Sequence, residues 1–73
     1  MPLPKMQNNT SPEYLARLAR AAAIIAEWHK LNEYNTRDRC GLCDPRTGLV
    51  RVRQIVGCDA LGRFVFSDWI NVE

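Results

Sequence analysis

The sequence predicts a small α+β domain, one N-terminal amphipathic helix packed on an antiparallel sheet of two or three strands. Three observations carry that prediction. After Pro12 the chain runs to about Asn32 rich in Ala, Leu and Arg, with no Gly or Pro to interrupt a helix. Leu49 to Val56 and Arg63 to about Ile70 are short β-branched and aromatic segments. Two turn signatures bound them, Asp44–Gly48 and Gly57–Gly62. With 73 residues there is room for one domain only, which we place at residues 11–73 behind a flexible tail over residues 1–10.

The helix has a legible start. Ser11 suits the N-cap, where its hydroxyl accepts an orphan backbone N–H. Pro12 suits the first helical position, and Glu13 suits the positive end of the macrodipole. Thr10 with Glu13 is an alternative capping box. Steps of about 100° per residue put Tyr14, Leu15, Leu18, Ala19, Ala21, Ala22, Ile25, Ala26 and Trp28 on one broad apolar side. His29 falls within that arc. Arg17, Arg20, Ile24, Glu27 and Leu31 fall opposite, so Ile24 and Leu31 read either as scattered surface apolar residues or as a partner-binding stripe flanked by Arg17 and Arg20.

Asn32 to Asp38 reads as a polar connector. Asp44-Pro45-Arg46-Thr47-Gly48 has Asp first, Pro second and Gly last, the order a tight turn favours. Leu49 to Val56 should be one strand, with Val50, Val52 and Val56 on one face and Leu49, Arg51, Arg53 and Ile55 on the other. Phe64 and Phe66 should share a face of the next strand, and the segment Cys40–Cys43 can add a short third strand across the Asp44–Gly48 turn.

Charge is polarised along the chain. The total is +2. Residues 37–53 hold Arg37, Arg39, Arg46, Arg51 and Arg53 against Asp38 and Asp44, while residues 54–73 hold Arg63 against Asp59, Asp68 and Glu73. An arginine-rich middle before an acidic end reads as a solvated surface or as an electrostatic docking face. Arg51 and Arg53 would point the same way from one strand. Tyr34, Phe64 and Phe66 beside Arg39 and Arg46 raise a nucleic-acid reading through base stacking, but the weak net charge and acidic end argue that any such contact is indirect or weak. No apolar run is long enough for a signal peptide or a membrane span, and three cysteines make an odd count that suits a disulfide framework poorly. Both point to the cytoplasm.

His29, Cys40, Cys43 and Cys58 follow the pattern H-x10-C-x2-C-x14-C. Two thiolates at the C-x2-C spacing can grip one ion from a tight loop, and a hairpin return could bring Cys58 back to them, giving a Cys3His structural zinc site that ties helix to sheet. The competing reading makes the cysteines small buried hydrophobes and His29 a satisfied core histidine. Nothing points to catalysis: no phosphate-cradling glycine loop is present, the carboxylates are scattered, and so short a chain has little with which to wall a pocket.

The start Met1-Pro2-Leu3-Pro4-Lys5, the helical segment Ser11–Arg20, the loop Cys40-Gly41-Leu42-Cys43-Asp44 and the strand Phe64-Val65-Phe66 lie in a chain of 73 residues. In length and layout the whole chain resembles the small RNA polymerase-binding transcription regulators of lytic bacteriophages that infect plant-pathogenic bacteria. The resemblance implies a non-enzymatic protein of the host cytoplasm that binds the β′ N-terminal region of the polymerase near the β flap. It further implies that initiation is blocked by displacement of the σ factor and that elongating polymerase reads through terminators. The resemblance assigns no individual binding residue. From charge and periodicity, the candidates are Arg17, Arg20, Ile24, Leu31, Arg39, Arg46, Arg51 and Arg53.

Overall fold

The computed structural model describes residues 11–73, and the expectations for residues 1–10, with the Thr10 capping box, lie outside the described residues. The elements run α1 (Pro12–Leu31), α2 (Arg37–Cys40), β1 (Gly41–Asp44), β2 (Leu49–Val52), β3 (Ile55–Cys58), β4 (Phe64–Phe66) and β5 (Ile70–Asn71). One long helix with small antiparallel sheets is the predicted α+β class. The strands form a three-stranded sheet ordered β1-β2-β5 and a separate two-stranded sheet β3-β4.

Helix α1 begins as its residues dictate. The Ser11 hydroxyl accepts the Tyr14 N–H at 3.2 Å, with Pro12 at the first turn. The helix ends at Asn32, whose backbone is extended and whose Oδ1 accepts the Tyr34 N–H at 2.9 Å. That local bond competes with helical continuation. No helix among the described residues is long and apolar enough to cross a membrane.

The packed face of α1 is narrower than the apolar arc and rotated from it. Tyr14, Ala21 and Ile25 are buried, and Leu18, Ile24 and Trp28 pack half-buried beside them. These positions recur every three or four residues, a single stripe. Leu15 lies off the stripe and is 51% exposed; Ala19 and Ala26 are also exposed. The expected polar side is corrected at two positions. Ile24 joins the margin of the core, and Arg17 is half-buried with its Nη1 donating to the Gly48 carbonyl at 2.7 Å.

The stripe lands on β2, whose Val50 and Val52 are buried, with Cys40, Ile55 and Val72 completing the core. Two glycines make the packing feasible. A Cβ on Gly41 would stand 3.1 Å from the Arg37 carbonyl oxygen and 3.4 Å from Ile25 Cδ1, so the approach of β1 to both helices leaves little space for a side chain. Gly48 closes the β1–β2 turn at φ 75°, donating its N–H to the Asp44 carbonyl at 2.8 Å. The Asp44 carboxylate also accepts the Arg46 N–H at 2.9 Å, as the turn reading anticipates.

The strand expected over Leu49–Val56 is two strands in two sheets. At the break, the Arg53 N–H goes to the Cys40 carbonyl and the Gln54 N–H to the Ser67 hydroxyl, both at 2.9 Å. The side-chain phase does not survive that detour, and Ile55 is buried where Val56 was expected. A bulge between Ile55 and Gly57 leaves Val56 outside the register, 60% exposed. The strand expected over Arg63–Ile70 also divides. Its first part, β4, pairs with β3, while β5 pairs with β2. Phe64 and Phe66 do share half-buried positions, with Val65 exposed between them. The connector before Asp38 includes the start of the unforeseen single-turn helix α2.

Asn35 joins these parts. It is fully buried, and its side chain satisfies three elements at once. Nδ2 donates to the Trp28 carbonyl at 3.2 Å, Oδ1 accepts the Ile55 N–H at 2.7 Å, and the Cys40 thiol lies 3.5 Å from the same oxygen as donor. No buried side-chain nitrogen or oxygen among the described residues lacks a partner.

Candidate partner-binding face

Five segments converge on one stacked surface. Tyr34 comes from the α1–α2 connection, Arg39 from α2, Arg53 from the β2–β3 break, Phe64 and Phe66 from β4, and Trp69 from the segment before β5. The Tyr34 and Phe64 ring centroids are 4.9 Å apart with the planes tilted by 43°. The Arg39 guanidinium carbon stands 5.1 Å from the Phe64 centroid. That of Arg53 lies 3.7 Å from Phe66 and 4.4 Å from Trp69. Arg53 Nε donates to the Arg39 carbonyl at 3.2 Å, joining the two arginines.

Each contact is of the cation–π or aromatic kind, worth about 0.5–1 kcal/mol at an exposed site and more when water is excluded. Together they hold two long, flexible side chains in place, an ordering that would lower the entropy lost if this face bound a partner. Tyr34 and Trp69 remain 45% and 37% exposed, so the rings offer contact area beside the cations.

The other candidates are distributed elsewhere. Arg17 is committed to the Gly48 carbonyl. Arg20 is exposed on α1, and Leu31 is exposed at its end. Ile24 is withdrawn toward the core. Arg46 sits exposed in the β1–β2 turn. Arg51 Nε donates to Asn71 Oδ1 at 2.9 Å, across the β2–β5 pairing. The expectation that Arg51 and Arg53 alternate on one strand is corrected, because β2 ends at Val52 and Arg53 turns onto Phe66 and Trp69. Trp69 is the residue that sequence reasoning missed. It lies inside Arg63–Ile70, which reads as one continuous strand, and only the split between β4 and β5 sets it beside Arg53.

The four residues of the H-x10-C-x2-C-x14-C pattern are not gathered. Cys40 is fully buried, and burial pushes its thiol above the ordinary range, keeping it protonated. Cys43 and Cys58 are exposed on β1 and β3, strands of different sheets. His29 is exposed, with Nδ1 3.2 Å from the Asn35 carbonyl oxygen. Among the described residues, no group of three or more His, Cys, Asp or Glu side chains is placed to hold a metal ion. In this arrangement the four do not fit one tetrahedral ion. Two of the three thiols are therefore expected to react promptly with a disulfide reagent such as Ellman's in the native protein, and the third only on unfolding. Three slow thiols, released together by a chelator, would instead reveal a shared ion.

Burial raises the Tyr14 phenol, and a hydrogen bond with the Cys43 side chain adds to it, so this ring stays neutral in the core. The Asp59 carboxyl is held below its usual range chiefly by the Arg63 N–H. It also accepts the Leu61 N–H and pairs with Arg63 Nε at 3.1 Å, closing the β3–β4 turn.

No protein-family model matches the chain, and neither a curated protein nor a solved structure matches it significantly.

Proposed function

We propose that the protein is a non-enzymatic transcription regulator of bacteriophage type that acts in the host cytoplasm by binding bacterial RNA polymerase. Its target is the β′ N-terminal region near the β flap. Binding there inhibits initiation by displacing the σ factor and lets elongating polymerase read through terminators. The resemblance in length and layout supports the identity of the partner. One structural observation carries the binding role: arginine and aromatic side chains from five segments are stacked into a single partly exposed face. Tyr, Trp and Arg are the side chains enriched among those that dominate interface energetics. The proposal requires no cofactor.

The protein is expected to co-migrate with core polymerase on gel filtration in the absence of DNA, and to lower promoter-dependent transcript while raising read-through of a terminator. Separate elution with both components at micromolar concentration would overturn the proposal. Salt-dependent binding to bare DNA or RNA, without polymerase, would favour a nucleic-acid-binding module in its place.

A further inference from the structure

The stacked face leaves two guanidinium groups with unused hydrogen-bonding edges. A guanidinium carries five N–H donors, and a cation–π contact draws on its charge without supplying an acceptor for them. Arg53 commits Nε to the Arg39 carbonyl, and no partner of its terminal nitrogens is found among the described residues. Arg39 meets the Phe64 ring and, among the described residues, forms no ion pair. The salt bridges of the described residues lie elsewhere, Lys30 to Glu27 and Arg63 to Asp59. Two adjacent, positioned and unneutralised cations therefore share one side of the molecule with the exposed rings of Tyr34 and Trp69.

We infer that this face receives an acidic segment of a partner protein. Carboxylates take the free edges of Arg39 and Arg53, and apolar side chains beside them lie on Tyr34 and Trp69. The inference rests on the protein-surface reading above and names the chemistry of the surface bound. Charge complementarity selects the occupant. A planar carboxylate matches the two-pronged N–H edge of an arginine, and such pairs are stronger than neutral hydrogen bonds. A nucleic-acid strand would call for a longer run of free cations following its phosphates. Here Arg51 bonds to Asn71 and Arg17 to the Gly48 carbonyl, and among the described residues no contact joins either of them to the stacked pair.

The test uses the full chain and three fluorescently labelled probes: a short peptide alternating glutamate and glycine, its glutamine counterpart, and a single-stranded oligothymidylate. Anisotropy at low salt should show the glutamate peptide binding about tenfold more tightly than the glutamine peptide, the size expected for one charge-assisted pair. The double variant Arg39→Lys/Arg53→Lys preserves net charge but loses the fork, and should weaken the glutamate peptide by a similar factor. The control Arg37→Lys, at an exposed arginine outside the candidate set, should not. If circular dichroism shows the double variant unfolded, Arg39→Lys alone is read in its place, since that residue is exposed. Equal binding of both peptides, binding of neither, or no effect of the lysine variant would overturn the inference. So would tighter binding of the oligothymidylate that the same variant abolishes. The polymerase reading fails separately. Peptide binding without polymerase co-migration would sink that reading alone, whereas polymerase retained undiminished by the lysine variant would sink only this inference.

Discussion

Asn35→Leu is expected to lose most of the protein's stability, by about 3 kcal/mol, although it substitutes an apolar side chain of similar size at a fully buried position. The cost comes from the partners left behind. The Ile55 N–H would have no acceptor, because Oδ1 at 2.7 Å supplies it. The Trp28 carbonyl would keep only the Asn32 N–H of its two donors. A buried donor stripped of its acceptor costs about 1–3 kcal/mol, and a lost second bond adds about 1 kcal/mol. A single core of this size rarely supplies more than about 3–5 kcal/mol in all. Urea denaturation followed by circular dichroism measures the loss, and a change under about 1 kcal/mol would show that Asn35 is not the junction.

The companion variant Asn35→Asp tests which atoms matter. It retains an acceptor for Ile55 but turns an ionised oxygen toward the Trp28 carbonyl, where Nδ2 now donates. Burial would raise the folded-state value of that carboxyl above its unfolded value near 3.9. The protonated form, which can donate again, is favoured in the fold, so its stability is fully present below about pH 4 and is lost as pH rises through the raised value. The variant should therefore be more stable at pH 4 than at pH 7 relative to wild type, and a flat difference would reject the donor's role.

Ile25→Ala should cost about 2–5 kcal/mol, and Leu15→Ala less than about 0.5 kcal/mol. The two residues lie on the same side of a helical wheel drawn from the sequence. In the fold, Ile25 is 3% exposed and Leu15 is half exposed. Ile25 sits at the centre of the stripe, its Cδ1 3.4 Å from where a Cβ on Gly41 would stand. Its truncation opens a cavity between α1 and β1, so the cost includes lost contacts as well as lost transfer free energy. Thermal melts of the two variants under identical conditions decide the matter. Equal costs would mean that the helix packs on the broader arc, with Leu15 inside it.

Most of what is legible in the residues alone is local. The Ser11–Pro12–Glu13 start of α1, the Asp44–Gly48 turn, the Cys40–Cys43 segment pairing across it and the burial of Val50 and Val52 all follow from interactions within a few residues or one element. The same holds for the α+β class, since a long uninterrupted helix followed by short β-rich segments has few ways to bury both apolar faces. Tertiary packing sets how wide a face the helix buries, because a three-stranded sheet covers one stripe of α1 and leaves Leu15 out. It also sets the break at Arg53–Gln54, where backbone donors find Cys40 and Ser67 instead of a ladder partner. Asn35 sits in a stretch, Asn32 to Asn35, that reads as any polar loop, and its role exists only where α1, α2 and β3 meet. The candidate face is of the same kind. Arg39 and Arg53 were legible as cations, but their pairing over Phe64, Phe66 and Trp69 depends on contacts between residues up to 25 positions apart, which no local pattern encodes.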